Sequence, residues 1–207
     1  MEEKNLQLER TVFFCDAVVA IAITLLALEI KIPPTENGHL TFKDVLKEWR
    51  AFAAFFLSFV NIANFWKTHH SFFSHIKKVD EKMLWFNIGW LLFIVLLPFS
   101  TSLVSNFFND SISVVIYSAN ILIIAVFQNM IWDYAVPKKD FLKREEMQPD
   151  TIRRFRIFCN LDMINALIAL VVAFFRPGLA FILLFTKLPV FVILTVFYKR
   201  MFAHGRR

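Results

Sequence analysis

Residues 10–31 read RTVFFCDAVVAIAITLLALEIK. Asp16 is the one charged side chain that follows the leading arginine before Glu29 is reached. A helix rises about 1.5 Å per residue, so roughly 20 apolar residues cross the hydrocarbon core of a bilayer. The stretch therefore predicts a transmembrane helix over Thr11–Ile32, which the Pro-Pro pair that follows it ends.

The rest of the chain repeats this apolar pattern. Of the 207 residues, 57% are hydrophobic and 19% are charged, and the mean hydropathy is +0.56. A soluble domain has about 45–50% apolar and about 25% charged residues. Five further segments are long enough to span a bilayer: Trp49–Trp66, Leu84–Val104, Ile112–Val136, Ile157–Phe175 and Leu179–Tyr198. We therefore expect an all-α integral membrane protein, a single bundle of six transmembrane helices over residues 1–207.

The positive charge sets the expected orientation of the helices. If the N-terminus is cytoplasmic, 17 Lys and Arg residues lie inside and 5 lie outside, with Lys187 within a span and uncounted. Cytoplasmic loops carry such an excess, which predicts a multi-pass protein of the cell membrane with both termini in the cytoplasm. The net charge of +6 is therefore a topology signal, and no nucleic-acid partner is expected. The basic loop Pro137–Asp150 either reports this topology or touches anionic lipid.

The first helix carries two features besides its length. Helical spacing places five apolar side chains on one stripe, with Thr24 beside it: Phe14, Ala17, Ile21, Leu25 and Leu28. Periodicity alone does not tell whether this stripe packs inside the subunit or lines a functional surface. Asp16 is an ionisable group inside a span, which is costly unless it is paired or faces water. It either pairs with Arg10 to set the helix register or has a functional role.

These residues resemble a known family. Arg10-x-x-x-Phe14-Cys15-Asp16 is similar to the RxxxFSD signature of the transmembrane protein 175 family. The second and third predicted helices add the similar patterns Trp66-x-x-His69-His70-x-x-Phe73 and Leu97-Pro98-Phe99-Ser100-Thr101. One position departs from the signature, since Cys15 stands where the family has Ser, and a thiol is a weaker donor than a hydroxyl.

The resemblance implies a function, an assembly and a set of site residues. It implies a potassium-preferring channel that forms a homotetramer around a central pore lined by the first helix, with potassium as the permeant ion. It places the hydrophobic constriction at Ile21, Leu25 and Leu28, and a selectivity layer at Thr24. We further expect a cytoplasmic polar network that includes Arg10, Phe14, Cys15, Asp16, Trp66, His69, His70 and His75. Copies of the same chain and membrane lipid are the expected partners, and no catalytic residue or cofactor is expected.

Three alternatives remain open at the level of sequence. A proton-linked secondary transporter would use the intramembrane charges Asp16, Asp162 and Lys187. A membrane enzyme would use the histidines and Asp16, although neighbouring His69 and His70 point about 100° apart on a helix and so cannot form an i, i+4 metal pair. No metal site is therefore expected. A helical bundle with a packing or assembly role is the third alternative.

Overall fold

The computed structural model describes residues 2–34, 38–148 and 150–186. Regular structure in these ranges is helical, apart from one antiparallel bridge that pairs Ile76 with Leu142. Short 3-10 turns cover Leu26–Glu29 and Arg144–Glu146. The helices, numbered here in chain order, are α1 Glu2–Leu25, α2 Phe42–Lys47, α3 Trp49–His75, α4 Glu81–Val95, α5 Leu97–Asn106, α6 Ser111–Ala135, α7 Thr151–Ala173 and α8 Pro177–Thr186.

Four described segments are long and apolar enough to cross a membrane: Leu6–Glu29, Glu81–Asn106, Ser111–Ala135 and Thr151–Ala173. Helix α3 has sufficient length, at 27 residues, but Asn61, Asn64 and Lys67 lower its hydropathy. The predicted sixth span begins in α8, and its part beyond Thr186, which includes Lys187, lies outside the described residues.

Several helix bounds differ from those expected from the sequence. Helix α1 begins at Glu2 rather than Thr11, and α3 continues to His75 rather than ending at Trp66. Both extensions are polar, so hydropathy alone cannot detect them. The predicted third helix is divided into α4 and α5 around Leu96, next to Pro98. Proline has no N–H to donate to the carbonyl four residues earlier, which explains a break at this point.

Helix α2 was not predicted from the sequence. It begins with a capping box, in which the Thr41 side chain accepts the Asp44 N–H and the Asp44 carboxylate accepts the Thr41 N–H. Its last turn adds an ion pair between Lys47 Nζ and Asp44 Oδ1 at 2.8 Å. Such reciprocal capping satisfies backbone donors that a helix start otherwise leaves unpaired, and here it supports a helix of six residues.

The interior combines aromatic packing with a layer of polar side chains. Helices α4 and α6 approach closely at Gly89, where an added Cβ would overlap the ring of Phe127. Deep in the bundle the Tyr117 hydroxyl lies 3.0 Å from Ser58 Oγ and 3.2 Å from Asn61 Nδ2, and Thr101 Oγ1 donates to Ser58 Oγ at 2.7 Å. These bonds join α3, α5 and α6, as polar side chains do between membrane helices.

The connections between helices meet at two opposite ends. At one end, residues 76–80 and 137–148 pair through Lys77 N–H to Phe141 O at 2.7 Å and Lys143 N–H to His75 O at 3.0 Å. We call this the basic end, because most of the loop Lys and Arg residues lie here. At the other, aromatic end, the ring of Phe108 lies 5.3 Å from that of Trp49 and 5.0 Å from that of Phe181. These contacts gather the starts of α3 and α8 and the α5–α6 connection.

Candidate functional site

Helix α1 has one buried stripe. Its members are spaced seven, four, three and four residues apart, as one face of a helix requires; they are Leu8, Cys15, Val19 and Ala22 on α1 and Leu26 in the 3-10 turn that follows it. Cysteine and alanine are small, so neighbouring helices can approach α1 closely along this face. The stripe packs α1 against α3, α4 and α5.

The opposite face of α1 is open, and it carries the residues that the sequence predicted for the constriction. Ile21 is 61% exposed, Leu25 is 40% exposed and Leu28 is 69% exposed. Thr24 is exposed on the same side, where its hydroxyl donates to the Ile21 carbonyl at 2.8 Å. The 3-10 turn that follows Leu25 has three residues per turn, which aligns Leu28 with Leu25 along the helix axis. A single subunit therefore presents these four side chains together on a surface that the described residues leave exposed.

The carboxylate of Asp16 is bound by a residue of α3. Trp66 Nε1 donates to Asp16 Oδ1 at 2.7 Å, and the Trp66 ring lies 5.5 Å from the His70 ring, tilted by 32°. An acid within an apolar helix thus obtains its hydrogen bond from a side chain 50 positions away. This contact joins the second half of α1 to the second half of α3.

Asn87 is the centre of a second, buried contact. His69 Nε2 lies 2.8 Å from Asn87 Oδ1 and Cys15 Sγ lies 3.9 Å from the same oxygen. Because the amide oxygen accepts, both groups act as donors to it. The His69 ring is stacked between Phe73 and Trp90, each with its ring centroid 4.4 Å away. One oxygen of α4 therefore connects α1 with α3.

Sequence reasoning did not identify Asn87. Its signal was an amide inside an otherwise apolar segment, where a polar side chain needs a partner. Both residues that contact it, Cys15 and His69, were predicted for the network, and the structure brings Cys15, Asp16, Trp66, His69 and His70 into two adjacent contacts.

Three other predicted network residues lie apart from these contacts. Phe14 is on the exposed face of α1. Arg10 is exposed and lines a recess beside Asp80 and Glu81, and the described residues show no ion pair between it and Asp16. His75 Nδ1 donates to the Ser71 carbonyl at 2.7 Å and lies 3.0 Å from Ser74 Oγ, and its ring packs on the Phe155 ring.

Helix geometry explains two of these separations. Arg10 precedes Asp16 by six positions, and His75 follows His69 by six. Six residues correspond to a rise of about 9 Å and a rotation that leaves the two side chains about 120° apart. Neither pair can therefore share a contact on one helix face.

The charged residues proposed for a transporter are not gathered in the described residues. Asp162 is buried on α7, where its Oδ2 lies 3.4 Å from Asn64 Nδ2, whereas Asp16 contacts Trp66. Lys187 lies outside the described residues. Among residues 2–34, 38–148 and 150–186, no group of three His, Cys, Asp or Glu side chains is placed to hold a metal ion.

A polar cluster at the basic end surrounds Asp80. Its Oδ1 caps the start of α4 at the Met83 N–H, 2.9 Å away, and its Oδ2 accepts from Tyr134 at 2.6 Å and from Lys138 at 3.1 Å. Burial acts to raise the pKa of Asp80, but these three hydrogen bonds outweigh it and hold the pKa below its usual value. The Tyr134 hydroxyl and the Asp80 carboxylate raise the pKa of Lys138 in turn. This cluster holds the α3–α4 connection against the end of α6.

Comparisons with known proteins agree with this architecture. The family described as Endosomal/lysosomal potassium channel TMEM175 matches residues 10–98. A Chamaesiphon minutus protein named a potassium channel is 29% identical over 179 residues, which cover 82% of this chain and 88% of that protein. A crystal structure of a lysosomal potassium-selective channel TMEM175 homolog from Chamaesiphon minutus superposes with a TM-score of 0.78 at 26% identity, covering 90% of this chain and 97% of that chain.

Vertebrate proteins match a smaller share of their own length. A Gallus gallus protein named an endosomal/lysosomal proton channel, TMEM175, is 36% identical over 153 residues. The match covers 68% of this chain and 30% of that protein.

The apolar helices, with polar contacts that join them inside the bundle, define a multi-pass integral membrane protein. Its sequence relatives and structural neighbours are named ion channels rather than enzymes. The chain belongs to the TMEM175 family.

Proposed function

We propose that this chain forms a potassium-preferring cation channel in the cell membrane, as a homotetramer in which α1 of each subunit lines a central pore. Six spans, of which α3 is the second and α8 begins the sixth, put both termini on the same side of the membrane, and the excess of Lys and Arg on that side makes it the cytoplasm. The relatives named potassium channels support the permeant ion. One motif-bearing helix per chain requires several chains for a symmetric pore, which supports a closed assembly of identical subunits.

The observation that carries this proposal is the open face of α1. Ile21, Leu25 and Leu28 are exposed together, while the opposite face of the same helix is buried within the subunit. A ring of such side chains forms a narrow apolar neck, which loses water and blocks ions when it is closed. Rotation or separation of the helices widens the neck and admits hydrated ions.

Thr24 gives this face an oxygen ligand. Its hydroxyl proton is already donated to the Ile21 carbonyl, so the lone pairs of Thr24 Oγ1 remain available to a cation. Four copies of one oxygen replace part of the hydration shell of potassium. A single layer of this kind gives weaker selectivity than stacked rings of backbone carbonyls.

The contacts of Asp16 and Asn87 hold the cytoplasmic half of α1 in this arrangement. The Trp66–Asp16 bond attaches α1 to α3, and the Asn87 oxygen attaches it to α4. Because the two contacts lie at neighbouring positions on α1, they fix both its height and its rotation relative to the subunit.

Proton conduction is the second candidate function, because the vertebrate relatives are named proton channels. A single-file chain of water through the same neck would carry protons without a potassium ligand. The two candidates differ at Thr24: substitution by Ala reduces preference for potassium over sodium in the first case and leaves proton flux unchanged in the second.

Potassium flux into proteoliposomes tests the proposal. We expect passive potassium flux that exceeds sodium flux, and a further increase with Ile21→Asn, which makes the neck polar. Ile168→Asn is the matched control, because Ile168 is 50% exposed on α7, outside the proposed pore. If folded oligomers of the wild type and of Ile21→Asn both show no flux, that result contradicts the channel. Saturable flux coupled to a proton gradient favours the transporter instead.

A further inference from the structure

Helix α2 presents an apolar face that no part of the described chain covers. Phe42 is 78% exposed, Leu46 is 58% exposed and Trp49, the first residue of α3, is 52% exposed. Phe42 and Leu46 are four residues apart, so these two side chains lie on one face of α2, and Trp49 follows directly at the start of α3. The remaining positions of this stretch carry mixed charges and one valine: Lys43, Asp44, Val45, Lys47, Glu48 and Arg50.

Contacts elsewhere in the fold fix the level of this face. The Trp49 ring packs on Phe108 in the α5–α6 connection, and Phe108 packs on Phe181 near the start of α8. Three separate connections therefore meet at the height of Trp49. This is the aromatic end of the bundle, opposite the basic end.

Helix length gives the depth of the same face in a bilayer. At about 1.5 Å per residue, Trp49 lies about 27 Å along α3 from Lys67, close to the roughly 30 Å of a hydrocarbon core. Leu46, three residues before Trp49, then lies within about 10 Å of the edge of that core, and Phe42 is one helical turn away from Leu46. This is the headgroup region, where amphipathic helices and aromatic side chains accumulate.

The charges near this face suit the same environment. The Arg50 guanidinium lies 5.7 Å from the Trp49 ring centroid and 5.6 Å from that of Phe108, and Lys43 is exposed. Cations beside a row of apolar side chains can reach lipid phosphates while the apolar groups enter the upper acyl region.

We propose that α2 is an interfacial anchor, with Phe42, Leu46 and Trp49 inserted into the outer phospholipid surface and Lys43 and Arg50 at its phosphates. The anchor rests on the proposed topology, in which α1 and α3 cross the bilayer. It holds the chain that follows the outer end of α1 at one depth in the membrane.

Spin labels of the full chain in vesicles of phosphatidylcholine and phosphatidylglycerol test this placement. Single cysteines replace Phe42 and Leu46 on the apolar face and Lys43 and Lys47 beside it. The unsubstituted protein is the labelling blank, since its two native cysteines are both buried in the structure. Ile168→Cys marks a lipid-exposed position of a membrane span. Each labelled protein should elute from a size-exclusion column at the same volume as the unlabelled protein, which verifies folding.

The measured quantity is the collision rate of each label with oxygen divided by that with a water-soluble nickel chelate. We expect this ratio to be severalfold higher at positions 42 and 46 than at 43 and 47. Equal ratios at all four positions, with a high ratio at 168, overturn the anchor and leave the channel proposal intact. If labels at 42 and 46 collide with neither reagent, and their spectra are broadened by spin–spin coupling between subunits, a second subunit covers the face. That result also overturns the anchor. A low ratio at 168 itself contradicts the membrane topology on which both proposals rest.

Discussion

The contact between His69 and Asn87 predicts that removing the second polar partner restores stability that is lost when the first is removed. His69→Phe removes the donor to Asn87 Oδ1 and keeps an aromatic ring between Phe73 and Trp90. It destabilises the subunit. Adding Asn87→Leu to that variant then raises its stability, although the same substitution removes a polar side chain that the wild type uses.

The structure gives the size of this effect. In His69→Phe, Asn87 Oδ1 keeps only the distant Cys15 thiol at 3.9 Å among the described partners, and Asn87 Nδ2 is buried without a hydrogen-bond partner in the described residues. A buried polar group left unsatisfied costs about 1–3 kcal/mol, whereas polar pairs in membrane helices average about 0.6 and reach about 1.7 kcal/mol. His69 is only 1% exposed, so water cannot replace the lost bond. We therefore expect a rescue of about 1–2 kcal/mol by Asn87→Leu, which is a factor of roughly 5–30 in the unfolding equilibrium.

Equilibrium unfolding in mixed micelles of dodecylmaltoside and SDS, followed by circular dichroism, measures this rescue. The four proteins are the wild type, His69→Phe, Asn87→Leu and the double variant. Asn106→Leu in the His69→Phe background is the matched control, because Asn106 is exposed and bonds within its own helix to Ser102. The control should give no rescue.

Two results would refute the reasoning. If the effects of His69→Phe and Asn87→Leu simply add, the two side chains do not interact with measurable energy. If Asn106→Leu rescues as much as Asn87→Leu, the gain comes from general hydrophobicity rather than from relief of buried polar groups.

Three further predictions concern other contacts. Folding lowers the pKa of Asp80, so the stability that its carboxylate contributes is present above the unfolded pKa near 3.9 and is lost as pH falls through the folded pKa. The melting temperature should therefore fall more steeply from about pH 6 to about pH 3 for the wild type than for Asp80→Asn. Gly89→Ala overpacks the α4–α6 contact and should cost about 1–3 kcal/mol in the mixed-micelle assay, whereas a neutral result would show that the α6 ring moves aside freely. Trp66→Phe removes the donor to Asp16 and should cost about 0.6 kcal/mol, with Trp85→Phe, at 64% exposed, as a neutral control.

The sequence predicted the helical class well because hydropathy depends on local composition. Membrane-spanning segments are long apolar runs, so each of the four described spans overlaps a predicted one, with shifted ends. It predicted polar helix ends poorly, because the extensions of α1 and α3 beyond the apolar region carry no hydropathy signal. Helix α2 was missed since its sequence signal is a capping pair, Thr41 and Asp44, in a short polar connection.

The faces of α1 show a second limit. The spacing of Ile21, Leu25 and Leu28 defined a stripe, but the opposite stripe of Val19 and Leu26 is apolar as well. A helix that is apolar on all sides carries no sequence signal of which side is buried. Only the tertiary structure shows which of the two stripes is exposed. The same limit applies to Asn87, because nothing in the chain order couples one amide on α4 to a histidine on the helix before it.

The arrangement of contacts on α1 bears on how the proposed channel would open. The hydrogen bonds from α1 side chains to other helices that the structure describes involve Cys15 and Asp16, near one end of the apolar region. Beyond them the helix is held by small and aliphatic side chains, Val19, Ala22 and Leu26, whose packing has no fixed direction. Dispersion contacts of this kind can exchange partners at a modest cost, whereas the two polar contacts must be broken. In the proposed tetramer, the end of α1 at Leu25, together with Leu28 in the 3-10 turn that follows, is therefore the part that moves first, about a pivot at Cys15 and Asp16.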